Sequence, residues 1–523
     1  MSGTTEVAHQ PATPDPRPAP TAPRPYHFPS FERRALANGV RVVVAPVHKL
    51  PLVTVIALVD AGAVLDPEGR EGLAQLTARA LTEGTASSPV EALTERVERL
   101  GTSLDASADW DTALAQLTVA AQRLPEAMRL LGEVLREPAF PEREVERLKS
   151  ERLAERLALK TEPRGLADEM FERFTYAPAA RYSRPEGGSE ATVAALGRDD
   201  VVRFYRDHYR PSRTTLVIAG DVTADEAERV VAAAFGDWRD DAGATGVAAG
   251  LGDGRAPNAA AVAAGAATTT AVRGAPPHGE VAKNSGDAAH RNSAPGTATS
   301  SDGRPVDAPA RLTRAVHVVA NADAPQSELR VGHVGVPRRH PDYFAIVVMN
   351  ALLGGLFSSR INLNLREAHA YTYGAHSSYD WRRASGPFVV STAVKSDVTD
   401  AAAREVLFEI DRLRAEPVSA EELSLATSYL DGVFPIRYET TAAIAVALAN
   451  LVLYDQPADY FDRYRERIRA LTADDVLRAA RDHLHPDRLQ IVVVGDPAAV
   501  RAPLEALAAG PVIAYDAEGK PVD

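Results

Sequence analysis

The chain has 523 residues, 45% hydrophobic and 25% charged, with 71 acidic against 58 basic side chains and a formal net charge of −13. That length predicts two or more domains, and the acidic balance argues against a nucleic-acid binder, whose affinity comes from basic neutralisation of phosphates. The absence of cysteine removes disulfides and thiolate chemistry, and apolar runs such as 442–449 fall short of the ~20 residues of a membrane span, so a disulfide-rich secreted protein and a membrane protein are both excluded.

Residues 1–30 are predicted to be a disordered, Pro-rich tail. Seven prolines fall within residues 1–26, Glu6 and Asp15 interrupt any amphipathic transit helix, and no apolar stretch has the length of a signal-peptide core. A cytoplasmic location is expected. A first half then runs from 31 to 238. Valine-rich strand signals cover 40–47 and 52–61, helical periodicity covers 71–83 and 90–100, and strands return at 102–106 and 112–120. Long helices follow at 124–136 and 142–159.

Between Asp241 and Pro309, 47 of 69 residues are Ala, Gly, Pro, Ser or Thr, with no aromatic, no isoleucine and a single leucine, Leu251. Such a stretch cannot bury enough apolar surface to offset its ordering entropy, so 239–309 is predicted to be a flexible linker. It is far longer than ordinary connections, so it does not restrict motion of the halves it joins. The second half, 310–512, repeats the order of the first: strands at 314–319 and 328–336, helices at 342–353 and 359–367, strands at 371–381 and 386–394, then helices from 399. Residues 513–523 read as a C-terminal tail.

The halves carry an internal repeat. Residues 199–221, DDVVRFYRDHYRPSRTTLVIAGD, match residues 474–496, DDVLRAARDHLHPDRLQIVVVGD, at twelve of twenty-three positions without a gap. Unrelated segments of average composition would match at about one or two. Both read as helix, Pro-containing turn and buried strand, and the chain as a tandem duplication.

Three further strings make the chain recognisable: GLAQLTARALTEGT at 72–85, GTSLDASADWDTALAQLTV at 101–119 and ALLGGLFSSRINLNLREAHAYTYGAHSSY at 351–379. With the order of elements, they resemble the pitrilysin/insulinase family of zinc peptidases, especially its mitochondrial-processing-peptidase-like branch. The resemblance implies an α+β fold of two homologous halves, each a mixed or antiparallel sheet packed by helices. Active members carry H-x-x-E-H on a helix, two imidazoles four apart that bind Zn²⁺ and a Glu that polarises the bound water. Alignment on Gly84-Thr85 puts Gln75 and Arg79 at the histidine positions and Ala78 at the base position. The third ligand position falls on or next to Glu155, a carboxylate that also reads as one of several charges on the solvated helix around Glu151 and Arg152. No histidine lies between His48 and His208, so no shifted alignment restores the motif. The other histidines form no metal spacing, and His208 and His483 read as packing residues at the ends of the repeated helices. No zinc is expected in this chain.

The resemblance also implies what survives. The family's catalytic Arg and Tyr, spaced R-x6-Y, match Arg366 and Tyr373. A guanidinium holds a substrate carbonyl or carboxylate, and a phenol donates to the oxyanion formed on peptide attack; the alternative is that Arg366 pairs with a nearby acid such as Glu367 and Tyr373 is a sheet tyrosine. Gly354 and Gly355 match a glycine-rich segment that contacts peptide, although a glycine pair ending a helix also serves as a C-cap. Ser103, Leu104, Asp105 and Ala106 match an edge strand to which substrate adds by β-augmentation. His369 reads as a surface residue. The expected function is the non-catalytic subunit of a two-chain zinc peptidase acting on unfolded peptides, in a heterodimer whose H-x-x-E-H partner supplies the zinc. The alternative is a structural subunit without proteolysis, like the core proteins of the respiratory cytochrome complex. Neither nucleic acid nor membrane is expected as a partner.

Overall fold

The computed structural model describes residues 25–240, 310–322 and 324–522. The predicted linker therefore lies outside the described residues apart from residues 239 and 240. Strands β1 (Glu32–Ala35), β2 (Arg41–Pro46), β3 (Leu52–Val59), β4 (Asp105–Ala108), β5 (Ala113–Ala120) and β6 (Thr214–Gly220) form one sheet in the order β1-β2-β6-β3-β5-β4. Strands β7 (Ala315–Ala320), β8 (Gln326–Val334), β9 (Ala375–Tyr379), β10 (Pro387–Lys395), β11 (Gln490–Gly495), β12 (Val512–Tyr515) and β13 (Pro521–Val522) form a second, in the order β13-β12-β7-β11-β8-β10-β9.

The repeat is written into the topology. In each sheet the strand of the duplicated segment, β6 or β11, pairs parallel with the first long strand of its half and antiparallel with the second. The preceding helices, Arg198–His208 and Ala473–His483, and the turns at Pro211 and Pro486 also correspond. This is the expected α+β arrangement of two homologous halves.

How the halves meet departs from the sequence reading. The helix Pro163–Thr175 belongs by sequence to the first half, yet it packs on β8 and β11 of the second sheet. Its Leu166, Met170, Phe171 and Phe174 share a core with Val319, Val492 and Val494. In return Thr441–Leu453 lies on β3 and β6 of the first sheet, where Val43, Ile56 and Val217 join the core of the second half. That helix, TAAIAVALANLVL, is apolar on nearly every side, as a helix between two layers requires. It also explains why every residue of β6 is buried. The halves are interlocked by exchanged helices, and separating them would expose both apolar contacts.

Residues 1–24 of the predicted N-terminal tail lie outside the described residues; the described parts of both tails, 25–30 and 513–522, are ordered against the protein. In 25–30, Phe28 is buried, stacks on Phe461 at 4.0 Å and meets Tyr438 edge-on, while the Tyr26 hydroxyl donates to the Tyr438 carbonyl. Two ring contacts and a hydrogen bond outweigh the proline content that pointed to disorder. In 513–522, β12 extends the second sheet beside β7 and β13 pairs with β12. The stretch Tyr343–Ala368, which tolerates a few polar residues, is long and apolar enough to cross a membrane by length and composition. Most of it is buried inside the protein, in the core of the second half.

Candidate functional site

A cleft of about 800 Å³ opens on the second sheet, and Tyr373, Gly354 and Gly355 line it. The helix Tyr343–Asn350 runs into a π-helical turn, Ala351–Gly355, that carries the glycine pair against β9. A Cβ on Gly354 would stand 2.5 Å from Ser377 Oγ and 2.6 Å from its backbone nitrogen. Neither glycine has a left-handed backbone. Gly354 is therefore there for close approach to the strand rather than as a left-handed C-cap.

A second π-helical turn, Leu363–Ala368, positions Arg366. Its guanidinium lies 4.6 Å over the Phe357 ring, and Nε is 3.4 Å from Glu367. Phe357, 70% exposed, lines the cleft, so Arg366 sits behind its aromatic wall. Tyr373 follows on the loop into β9 and is 94% exposed. The loop is held by a hydrogen bond between Thr372 and Thr392 at 3.0 Å, leaving the tyrosine to project into solvent. Opposite, Arg330 of β8 donates to Asp168 at 2.6 Å and to Glu328 at 2.9 Å. Asp168 belongs to the exchanged helix Pro163–Thr175, so both halves build the cleft. Burial and the nearby Arg330 cation lower the pKa of His376 on β9, which favours its neutral form. His369 stacks on Tyr371 and faces Glu405 at 3.9 Å.

Ser103, Leu104, Asp105 and Ala106 lie elsewhere. β4 ends the first sheet, pairing only with β5 among the described strands, from Asp105 opposite Gln116. Ser103 Oγ donates to Asp105 at 3.1 Å. None of the four lines the cleft beside Tyr373.

Gln75, Ala78 and Arg79 share the helix Leu73–Ala80. Arg79 donates to Glu155 at 3.0 Å and lies 3.6 Å from Glu151, while Arg152 donates to the other Glu155 oxygen at 3.0 Å. Burial opposes ionisation of Glu155, but the two guanidiniums outweigh it and lower its pKa. Ala78 is buried. One carboxylate claimed by two fixed cations, beside an amide and a methyl group, does not fit a divalent metal ion.

Two further clusters had no signal in sequence spacing. Arg382 stands between Glu172 and Asp380, with Trp110 and Tyr182 rings within 4.7 Å of its guanidinium. Burial raises the pKa of Glu172, against the pull of Arg382. The second cluster joins His340, Asp342 and His483, which bear no local motif because 141 residues separate Asp342 from His483. His208, by contrast, packs on Phe204 at 4.4 Å and has Nδ1 3.2 Å from Arg213.

Two family models match the chain: "Insulinase (Peptidase family M16)" over residues 41–183 and "Peptidase M16 inactive domain" over residues 195–430. A probable mitochondrial-processing peptidase subunit beta of Arabidopsis thaliana is 22% identical over 88% of this chain and 77% of its own length. Human cytochrome b-c1 complex subunit 1 is 25% identical over 37% of this chain and 40% of its own length. Among solved structures, a peptidase M16 inactive domain from Pseudomonas fluorescens superposes with a TM-score of 0.72 at 22% identity, covering 89% of this chain and 98% of that one.

Proposed function

The chain belongs to the M16 insulinase/pitrilysin family of peptidases, and from that premise we propose that it is the non-catalytic subunit of a two-chain metallopeptidase. A partner chain bearing H-x-x-E-H supplies the zinc and the general base, and Gln75, Ala78, Arg79 and Glu155 are the remains of that site in this chain. Arg366 and Tyr373 act in trans: the guanidinium orients a substrate carbonyl or carboxylate, and the phenol donates to the oxyanion. Gly354 and Gly355 bring backbone to the peptide, and the free edge of β4, with Ser103, Leu104, Asp105 and Ala106, accepts an extended substrate segment. The substrates are unfolded peptides and the complex is a cytoplasmic heterodimer, with no role for nucleic acid or membrane.

The observation that carries this reading is a contrast between two places in one chain. Arg79 and Arg152 neutralise Glu155 internally, whereas Tyr373 is 94% exposed at the rim of a large cleft. A residue kept only for packing would be buried. A hydroxyl held out at a cleft mouth suits a substrate completed by another chain.

A second reading, a structural subunit without proteolysis, draws support from the match to the cytochrome-complex subunit. The two separate on reconstitution. In the first, the isolated complex cleaves unstructured peptides, a chelator abolishes cleavage, and Tyr373→Phe lowers turnover by about tenfold to a thousandfold, the range for losing one oxyanion donor. In the second, a stable complex forms and hydrolyses nothing with any metal.

A further inference from the structure

His340 and Asp342 sit on the turn before the helix Tyr343–Asn350, which Asp342 caps, and His483 ends the helix Ala473–His483. One ligand atom from each lies within 4.8 Å of the others. His483 Nε2 is 2.8 Å from Asp342 Oδ2, and the His340 ring stands edge-on to that of His483 at 4.8 Å. Asp342 Oδ1 accepts from Arg478 at 2.9 Å, so the carboxylate is held at one oxygen and turned toward the imidazoles with the other. Arg478 also lies 3.7 Å from Asp482, which offsets part of its charge. The carbonyl end of the helix Ala473–His483 adds its negative pole beside His483.

We infer that His340, Asp342 and His483 form a binding site for a borderline divalent cation of the zinc class. Two imidazole nitrogens and one carboxylate oxygen, with a water in the fourth position, are a donor set for Zn²⁺, Co²⁺ or Ni²⁺ rather than Mg²⁺ or Ca²⁺. Ligand bonds of ~2.0–2.1 Å need the donor atoms about 3.3 Å apart. His483 and Asp342, at 2.8 Å, would move apart by ~0.5 Å to admit the ion, and rotation of the partly exposed His340 ring would bring in the third donor. On binding, the proton that His483 Nε2 shares with Asp342 passes to Nδ1 or to solvent, and the 3.2 Å contact between the Asp342 amide and His340 Nδ1 yields if Nδ1 is the ligand atom. The ion would clamp the turn at 340–342 to the end of a helix 141 residues away. This site lies apart from Glu155 and does not rest on the peptidase reading.

The test uses the full chain, stripped with a chelator and returned to chelator-free buffer at neutral pH. Titration with Co²⁺ should give one saturating equivalent with the visible bands of a four- or five-coordinate ion, and Zn²⁺ should displace it. His340→Gln and Asp342→Asn, both at partly exposed positions, should each weaken binding by at least ~10-fold, while Glu155→Gln leaves it unchanged. Melting without metal verifies that each variant is folded, and His340→Gln, which alters no ion pair, decides the matter alone if Asp342→Asn does not fold. No saturable uptake at micromolar metal would overturn the inference. So would uptake undiminished in the folded variants, which would leave the cluster as a His–Asp capping contact.

Discussion

Replacing Arg382 by Met tests whether the two halves are locked into one body. The side chain is 3% exposed and joins three parts of the chain: it pairs with Glu172 on the exchanged helix and Asp380 beside β9, and its guanidinium stacks on Trp110 and Tyr182 from the first half. Methionine restores much of the volume but leaves Glu172, whose side chain is 25% exposed, without a cation; a fully buried partner would cost roughly 3–5 kcal/mol, and partial hydration lowers this to about 2 kcal/mol. Asp380 is half exposed and recovers its hydration, so its share is small. The two stacked contacts contribute about 0.5–2 kcal/mol each and overlap with the charge effect. A loss of about 2–3 kcal/mol is expected at pH 8, read from the urea midpoint at unchanged slope. The pH dependence has a definite sign. Burial already raises the Glu172 pKa above its ordinary 4.5, and loss of Arg382 raises it further. The penalty of the ionised carboxylate is therefore complete above the raised pKa and shrinks as pH falls toward 4.5. Glu172→Gln in the same background should recover most of the deficit, because no partly buried charge then remains unpaired. An Arg382→Met variant within about 0.5 kcal/mol of the parent at pH 8 would refute the reasoning, as would a deficit unchanged by the second substitution.

Gln75→His with Arg79→His should raise the zinc content by one equivalent over the parent chain, since both changes supply ligands and the second also releases Glu155 from its ion pair. Equal zinc in both proteins would contradict the account of the Arg79–Glu155 contact. Gly354→Ala places a methyl group 2.5 Å from Ser377 Oγ and should cost about 1–3 kcal/mol, seen as a lower urea midpoint; an unchanged midpoint would remove close approach as the reason for that glycine. Phe28→Ala removes the stack on Phe461 and should cost ~3 kcal/mol, with faster proteolysis at residues 25–31. Equal stability would return that segment to the status of a tail.

The order of elements was legible because period and composition record it locally. The valine runs became β2 and β3, the alternating run became β5, and the duplicated segments became matching helix, turn and strand in both sheets. Arg366, Tyr373 and the glycine pair could be singled out because a short contiguous string carries them. What escaped the reading depends on contacts across the chain. Phe28 lies in a proline-rich stretch, and only a partner at Phe461 gives it a fixed place. Arg382 and Glu172 are 210 residues apart, as remote from any motif as Asp342 is from His483. One clue was available: Thr441–Leu453 is apolar almost all round, and a helix of that kind needs cover on every side. The interlocking of the halves could have been read from it.

The most direct measurement of the central proposal is peptide hydrolysis by the chain captured with its native partner, compared for the parent and Tyr373→Phe, with and without a chelator. The account predicts a stoichiometric H-x-x-E-H chain in the capture, cleavage that the chelator abolishes, and turnover reduced about tenfold to a thousandfold in the variant at unchanged complex stability. A complex that lacks such a chain and cleaves no peptide, or one whose turnover is indifferent to Tyr373, would contradict it.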